Sequence, residues 1–176
     1  MDEFTLIERI VWDEFIQAKS WEQYISEYAG YKIDFRKWFN VATGALVVIG
    51  SSSWSTWKLI EYNWITPIIL LLVGVSQILT SSIPYIIVDN ETLKLLAKLR
   101  GLYIEYSNQL EHLVLKIYNE SIDQSEIEKQ YFSLRETVYP IEELKDSLNI
   151  RELKKLSKKV EKRVKSMVNA RYKRKN

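Results

Sequence analysis

The sequence predicts an all-α protein: a two-helix transmembrane hairpin with an N-terminal amphipathic helix and a C-terminal cytoplasmic helical bundle or coiled coil. Three observations predict it. Two long runs, Trp38–Trp57 and Tyr62–Val88, carry no charged residue. Outside them, apolar residues recur at spacings of three and four, the period of a helix with one buried face. No stretch shows the alternation of a half-buried strand. The divisions expected are 1–37 for the N-terminal helix, 38–88 for the hairpin (spans of about 38–57 and 62–88), 89–148 for the bundle, and 149–176 for a basic helix and tail.

In the first segment Phe4, Ile7, Val11 and Phe15 step by three and four, and Tyr24 and Tyr28 continue the line. This predicts a helix over residues 4–29 with a core-facing stripe; its polar face is acidic, which disfavours an anionic lipid surface. Gly30 is expected to bend or end it. The opening "MDEFTLIERIVW" has no basic start and no apolar core of a secretory signal, so insertion is expected to use the internal runs.

About twenty apolar residues cross a ~30 Å hydrocarbon layer, and both runs reach that length. Trp54, Trp57, Tyr62 and Trp64 surround the short link, with Trp38 and Tyr85 near the other ends, as expected of interfacial aromatic belts. The link holds one basic residue, Lys58. The opposite flanks hold Lys32, Arg36, Lys37, Lys94, Lys98 and Arg100. By the positive-inside rule both termini face the cytoplasm, so the expected location is the bacterial inner membrane.

The first run holds a polar stripe. Asn40, Gly44, Val47, Ser51 and Ser55 step by four, three, four and four, with Thr43 beside them. Small residues let membrane helices approach, and hydroxyls bond across the contact. The same face suits a water-filled path in an oligomer, since one hairpin cannot enclose a pore. Either role keeps the stripe off lipid. In the second run Gln77 and Ser81 are expected to bond to a neighbouring helix or subunit.

After Val88 the steps 3, 4, 3, 4, 3, 4 link Leu96, Leu99, Tyr103, Tyr106, Leu110, Leu113 and Ile117. This is the seam of a coiled coil or bundle, assigned to association between copies. Ile127, Tyr131, Leu134 and Val138 form a second seam, and Ser125 with Glu128 has capping-box spacing. Pro140 punctuates that segment. Asn149 is expected to cap a last helix with an apolar line of Leu153, Leu156, Val160, Val164 and Met167. His112 lies off the seam and is expected in solvent.

Net charge is only +2 over 176 residues, but it is divided. From Arg151 to Asn176 twelve Lys/Arg stand against two Glu; the first 150 residues hold thirteen against twenty-one Asp/Glu. Arg151, Lys155, Lys158, Lys162 and Lys165 step by 4, 3, 4, 3 and share one helical face. Such a row meets lipid phosphates, or a nucleotide or single-stranded oligonucleotide whose binding weakens with salt. Tyr172 offers a ring for stacking on a base. No P-loop or dinucleotide fingerprint is present. With no cysteine, thiol chemistry is excluded; the single histidine supplies no zinc cluster and no recognisable triad, and carboxylate-only chemistry stays open. The expectation is a protein that is not an enzyme and holds no metal or cofactor.

The aromatic and basic run "YAGYKIDFRKWFN" entering the first span, the short link, the second span, and "LLAKLRGLYIEYSNQLEHL" give a layout that resembles the SLATT family. These are small bacterial proteins with two membrane helices and cytoplasmic helices, effectors in nucleotide-signalled conflict systems. The resemblance covers roughly residues 10–145, on patterns of character rather than invariant motifs. It is similar, further, to the membrane component of Hailong-type anti-phage systems, whose other gene is a nucleotidyltransferase. The resemblance implies a homo-oligomeric ion channel, with a tetramer as the first expectation, controlled by a nucleotide signal. The alternative is a membrane anchor that recruits a soluble partner through its cytoplasmic helices. One departure concerns the first helix, often Arg-rich in the family; here it is acidic, with only Arg9 and Lys19 basic.

Overall fold

The computed structural model describes residues 5–56, 65–82, 89–150 and 152–172. All secondary structure among them is α-helical: α1 Leu6–Thr56, α2 Ile65–Ser82, α3 Asn90–Tyr118, α4 Gln124–Glu136, α5 Tyr139–Ser147 and α6 Lys154–Tyr172. The chain divides into two compact units. One joins Met1–Tyr28 to Lys94–Asn176; the other is Ala29–Leu93.

The first difference from expectation is α1. It runs for 51 residues without a break and passes through Gly30. Glycine costs about 1 kcal/mol against alanine inside a helix, too little to end one whose other residues form helix on both sides. The first apolar run is therefore the C-terminal part of α1 rather than a helix of its own.

In the larger unit the N-terminal part of α1 packs with α3–α6 around one core. Val11, Phe15 and Ile25 of α1, Leu96, Leu99, Leu110 and Leu113 of α3, and Val160 and Val164 of α6 are almost fully enclosed. Ile127 and Tyr131 of α4 and Ile141 of α5 complete it. This corrects the assignment of the α3 seam. Leu96, Leu99, Tyr103, Tyr106, Leu110 and Leu113 are buried, and Ile117 partly so, within a single chain. A side chain already covered by its own bundle has no apolar surface left for a second copy. The bundle alternative holds for this seam.

Cap positions also moved. Asp123, not Ser125, caps α4: its carboxylate accepts from the Glu126 N–H at 2.9 Å. Asn149 does not start α6. It follows α5 with φ 43°, a left-handed position that asparagine tolerates better than most residues. Thr137 and Val138 link α4 to α5, with Pro140 in the first turn of α5, where no N–H is needed. On α6 the covered line is Val160, Val164 and Val168, at steps of four; Met167 is 45% exposed.

In the smaller unit, beyond Ala29 and Gly30, the described partly covered positions of α1 are Lys32, Arg36, Phe39, Thr43 and Leu46, stepping by 4, 3, 4, 3. In α2 the described covered positions are Ile69, Val73, Gly74 and Ser76, of which Ile69, Val73 and Ser76 step by 4 and 3. Those are the steps of a helix–helix seam. The Ser76 hydroxyl donates to the Val73 carbonyl at 2.7 Å, so its burial leaves no open donor. Arg36 donates to Asn90 Oδ1 at 2.8 Å across 54 residues, which brings the start of α3 back to α1. Among the described residues no helix is long and apolar enough to cross a membrane.

Candidate functional site

Two surfaces carry the residues singled out by sequence, one in each unit.

In the larger unit the basic helix α6 is held down at its flanks and open on its outer face. Its valines set the rotation by entering the core. The Leu153 N–H, just before α6, donates to the Tyr24 hydroxyl oxygen at 2.9 Å. Burial pushes the Tyr24 phenol up from its ordinary value, with the Leu153 hydrogen bond acting against it. Arg163 pairs with Glu27 of α1. At the far end Glu111 of α3 accepts from Arg171 at 2.7 Å and from the Tyr172 hydroxyl at 3.0 Å. The Tyr172 ring meets Trp12 and Phe15 edge-on, and Tyr118 donates to the Tyr172 carbonyl at 2.9 Å. Tyr172 is thus a packing residue of the bundle, not a ring waiting for a base. Burial, followed by its bond to Glu111, pushes its phenol up to about 12.

Two acidic residues of α1 take part: Glu27 neutralises a guanidinium of α6, and Asp13 stands near Lys165. The Lys165 ammonium is held above its ordinary range chiefly by its hydrogen bond to Glu161, then by the charges of Glu161 and Asp13. The Lys165–Glu161 distance is 2.6 Å. The paired cations lie on the flanks. Lys155, Lys158 and Lys162 point away from the valine line, are exposed, and form no ion pair among the described residues. Of the anion row read from sequence, these three remain available, Lys165 is engaged, and Arg151 lies outside the described residues.

Two clefts border this bundle. One, of about 490 Å³ between α1 and α6, is lined by Asp13, Trp21, Tyr24, Glu152, Glu161 and Lys165 among others. Carboxylates outnumber cations there, so it repels phosphate. The other, of about 580 Å³ between α3 and α4, includes His112, Asn108, Lys129 and Ser133. His112 is exposed, as its position off the seam predicts.

In the smaller unit the polar stripe of α1 lies beside the partly covered line rather than on it. Asn40, Gly44 and Val47 are exposed, and Thr43 is half-covered. Ser51 and Ser55 fall in the last turns of α1 and Gln77 and Ser81 in α2; their side chains lie outside the described residues. Both helices of this unit also expose apolar side chains. Trp38, Val41, Leu70, Leu71, Leu72 and Val75 are all exposed. A methyl group built on Gly44 would meet nothing within 4 Å, so this glycine is not needed for packing inside one chain.

Among the described residues no group of His, Cys, Asp or Glu is arranged to hold a metal ion. Comparison with known protein families, curated proteins and solved structures finds no match for this chain.

Proposed function

We propose that this chain is a two-span membrane protein of the bacterial inner membrane, with both termini cytoplasmic, that assembles into an ion-conducting pore. We place it among SLATT-like effectors of anti-phage defence, gated by a nucleotide or single-stranded oligonucleotide made by a partner nucleotidyltransferase. The observation that carries the reading is the outer surface of the smaller unit. There two helices expose large apolar side chains, and on α1 the exposed Asn40 and Gly44 interrupt them. An exposed apolar surface of that extent needs a cover, and lipid supplies it on every side at once. The Arg36–Asn90 bond closes the cytoplasmic end of the hairpin. From Arg36 to Thr56 α1 rises roughly 30 Å, at about 1.5 Å per residue, which equals the hydrocarbon thickness. The uncharged second run, Tyr62–Val88, extends past α2 at both ends.

The stripe Asn40, Gly44, Val47, Ser51, Ser55 then faces another copy or water, and the free lysines of α6 receive the phosphate-rich signal. A signal gates the pore only through different affinity for its two states. The test is dye release from liposomes holding the purified oligomer, with and without short oligonucleotides. Release, or its suppression by ligand, is expected; an intact oligomer that never leaks overturns the reading. Changing Ser51 and Ser55 together to Leu should abolish release while leaving assembly in place.

The anchor reading has one observation of its own: Phe132 and Tyr139 are 61% and 72% exposed on the larger unit. An anchor keeps its activity in cells when Ser51 and Ser55 become Leu, and a channel does not.

A further inference from the structure

The exposed charges of the larger unit fall on two faces of opposite sign. On α5 the outward face opposite the buried Ile141 carries Tyr139, Glu142, Glu143 and Asp146, at steps of three, one and three. All four are exposed, and the three carboxylates form no ion pair among the described residues. The cation of that helix, Lys145, is turned inward over the Trp21 ring at 3.9 Å, so nothing on the face offsets its charge. On α6 the outward face opposite the valine line carries Lys155, Lys158 and Lys162. Helix α6 holds eight Lys/Arg against one Glu, and the α4–α5 segment, residues 124–147, holds six Asp/Glu against three Lys/Arg. Among the described residues Arg163 and Arg171 of α6 are matched by Glu27 of α1 and Glu111 of α3, and Lys165 by Glu161 of α6 itself. Among the described residues none is matched by α5.

Both faces point away from the core they share. Among the described residues no ion pair joins them, and each leaves like charges side by side, a modest repulsion that water and salt screen and that a surface of opposite charge lowers further. The rows have the same helical pitch and opposite sign. The seams of α3 and α4 are used up inside the bundle, so an assembly of copies needs a different surface.

We infer that the acidic outer face of α5 in one copy docks on the lysine face of α6 in the next. Two different patches meet, so the contact is head-to-tail, which gives a ring when its rotation closes. Tyr139, exposed one turn before the charges at the start of α5, supplies apolar area and a ring face for a lysine. This rests on the homo-oligomeric part of the proposed function and adds where the copies touch. It also adds a regulation: a phosphate-rich ligand competes with the neighbour's carboxylates for Lys155, Lys158 and Lys162, so binding and this contact oppose each other.

The test uses the full chain in nanodiscs, with size read by mass photometry. Lys155→Glu, Lys158→Glu and Lys162→Glu together should raise the concentration needed for assembly about tenfold or more, since like charges then face each other. Glu142→Lys, Glu143→Lys and Asp146→Lys together should do the same. The chain combining both sets should assemble again, which a simple folding defect would not allow. The protein has no cysteine, so a copy with Lys158→Cys mixed with a copy with Glu143→Cys should give an oxidised heterodimer, and a short single-stranded oligonucleotide should reduce its yield. An unchanged size distribution in both reversed sets, failure of the combined chain to reassemble, or absence of the heterodimer overturns the inference. A leaking oligomer with unchanged size in the reversed sets removes this contact and keeps the pore. Restored assembly without any leak keeps the contact and removes the pore.

Discussion

Glu120 ends α3 in the left-handed region, with φ 50°. The Ser121 N–H reaches back to the Lys116 carbonyl at 3.1 Å and the Glu120 N–H to Ile117 at 3.0 Å, the paired bonds that close a helix around a residue usually glycine. A side chain in that conformation costs roughly 1 kcal/mol. Glu120→Gly is therefore expected to stabilise the bundle by about 0.5–1 kcal/mol, read from chemical denaturation; a destabilised variant would show that the Glu120 side chain makes a contact worth more than the strain. Three tyrosines of the larger unit, Tyr103, Tyr106 and Tyr172, give a pH dependence. Burial raises Tyr103 and Tyr106, each helped by the Glu14 charge and Tyr103 also by Glu142, and Tyr172 is raised to about 12. A phenol raised in the folded state binds its proton more tightly there, so its stabilisation is whole below pH ~10, the unfolded value, and is lost as pH climbs through the folded value. Thermal melts should fall progressively above pH ~10. Tyr172→Phe should lose about 1 kcal/mol at neutral pH with its hydrogen bond, and show a smaller alkaline decline. None of these features is visible in a residue-by-residue reading, because Glu and Tyr carry no mark of their backbone angle or their neighbours.

At the scale of elements, periodicity was legible and partners were not. The steps through Leu96–Ile117 identify a helix with one covered face, and α3 is that helix. Periodicity says nothing about whose atoms do the covering, since a seam against its own bundle and a seam against another copy have the same period. The same limit moved α6 by one residue at its C-terminal end: Val168 rather than Met167 is buried, and the two differ by a 100° turn that only the docking angle decides. Caps were misplaced for a related reason. Asp123 and Ser125 both suit the first turn, and the chain path out of Ser121 selects Asp123. Asp123→Ala is expected to cost about 1 kcal/mol, whereas Ser125→Ala should change stability by less than ~0.5 kcal/mol; equal losses in denaturation would contradict the observed cap. Gly30 sits within α1 with no atom inside 4 Å of a built methyl group. Gly30→Ala should raise stability by about 1 kcal/mol, seen as a higher melting temperature with an unchanged helical signal.

For the whole molecule the predictions concern charge and assembly. The inter-copy contact proposed for α5 and α6 is between exposed groups, so it should weaken steeply with salt. The screening length falls from about 8 Å at physiological strength to about 3 Å at 1 M. Mass photometry across that range should show smaller species at high salt, and constant size would mean that the copies are held elsewhere, by the hairpins alone. Within each chain the buried valines and the Tyr172 cluster hold α6, so its circular dichroism should barely change over the same range. Val164→Ala should cost about 2 kcal/mol, two buried methyl groups at ~0.8 kcal/mol each plus a small cavity, whereas Arg163→Ala at a half-exposed pair should cost under ~1 kcal/mol.

Helical content, the two uncharged runs, the polar stripe and the divided charge are determined by the sequence alone, because each is a matter of residue type at a fixed spacing and local geometry suffices to read it. The tertiary structure decided what each face meets. It buried the α3 seam, carried α1 unbroken past Gly30, set acidic α1 against basic α6, packed Tyr172 away from any base, and left Lys155, Lys158 and Lys162 outward with α5's carboxylates on another outer face. The physical reason is that a helix's period fixes which residues share a side, while the direction of that side depends on packing among segments distant in sequence.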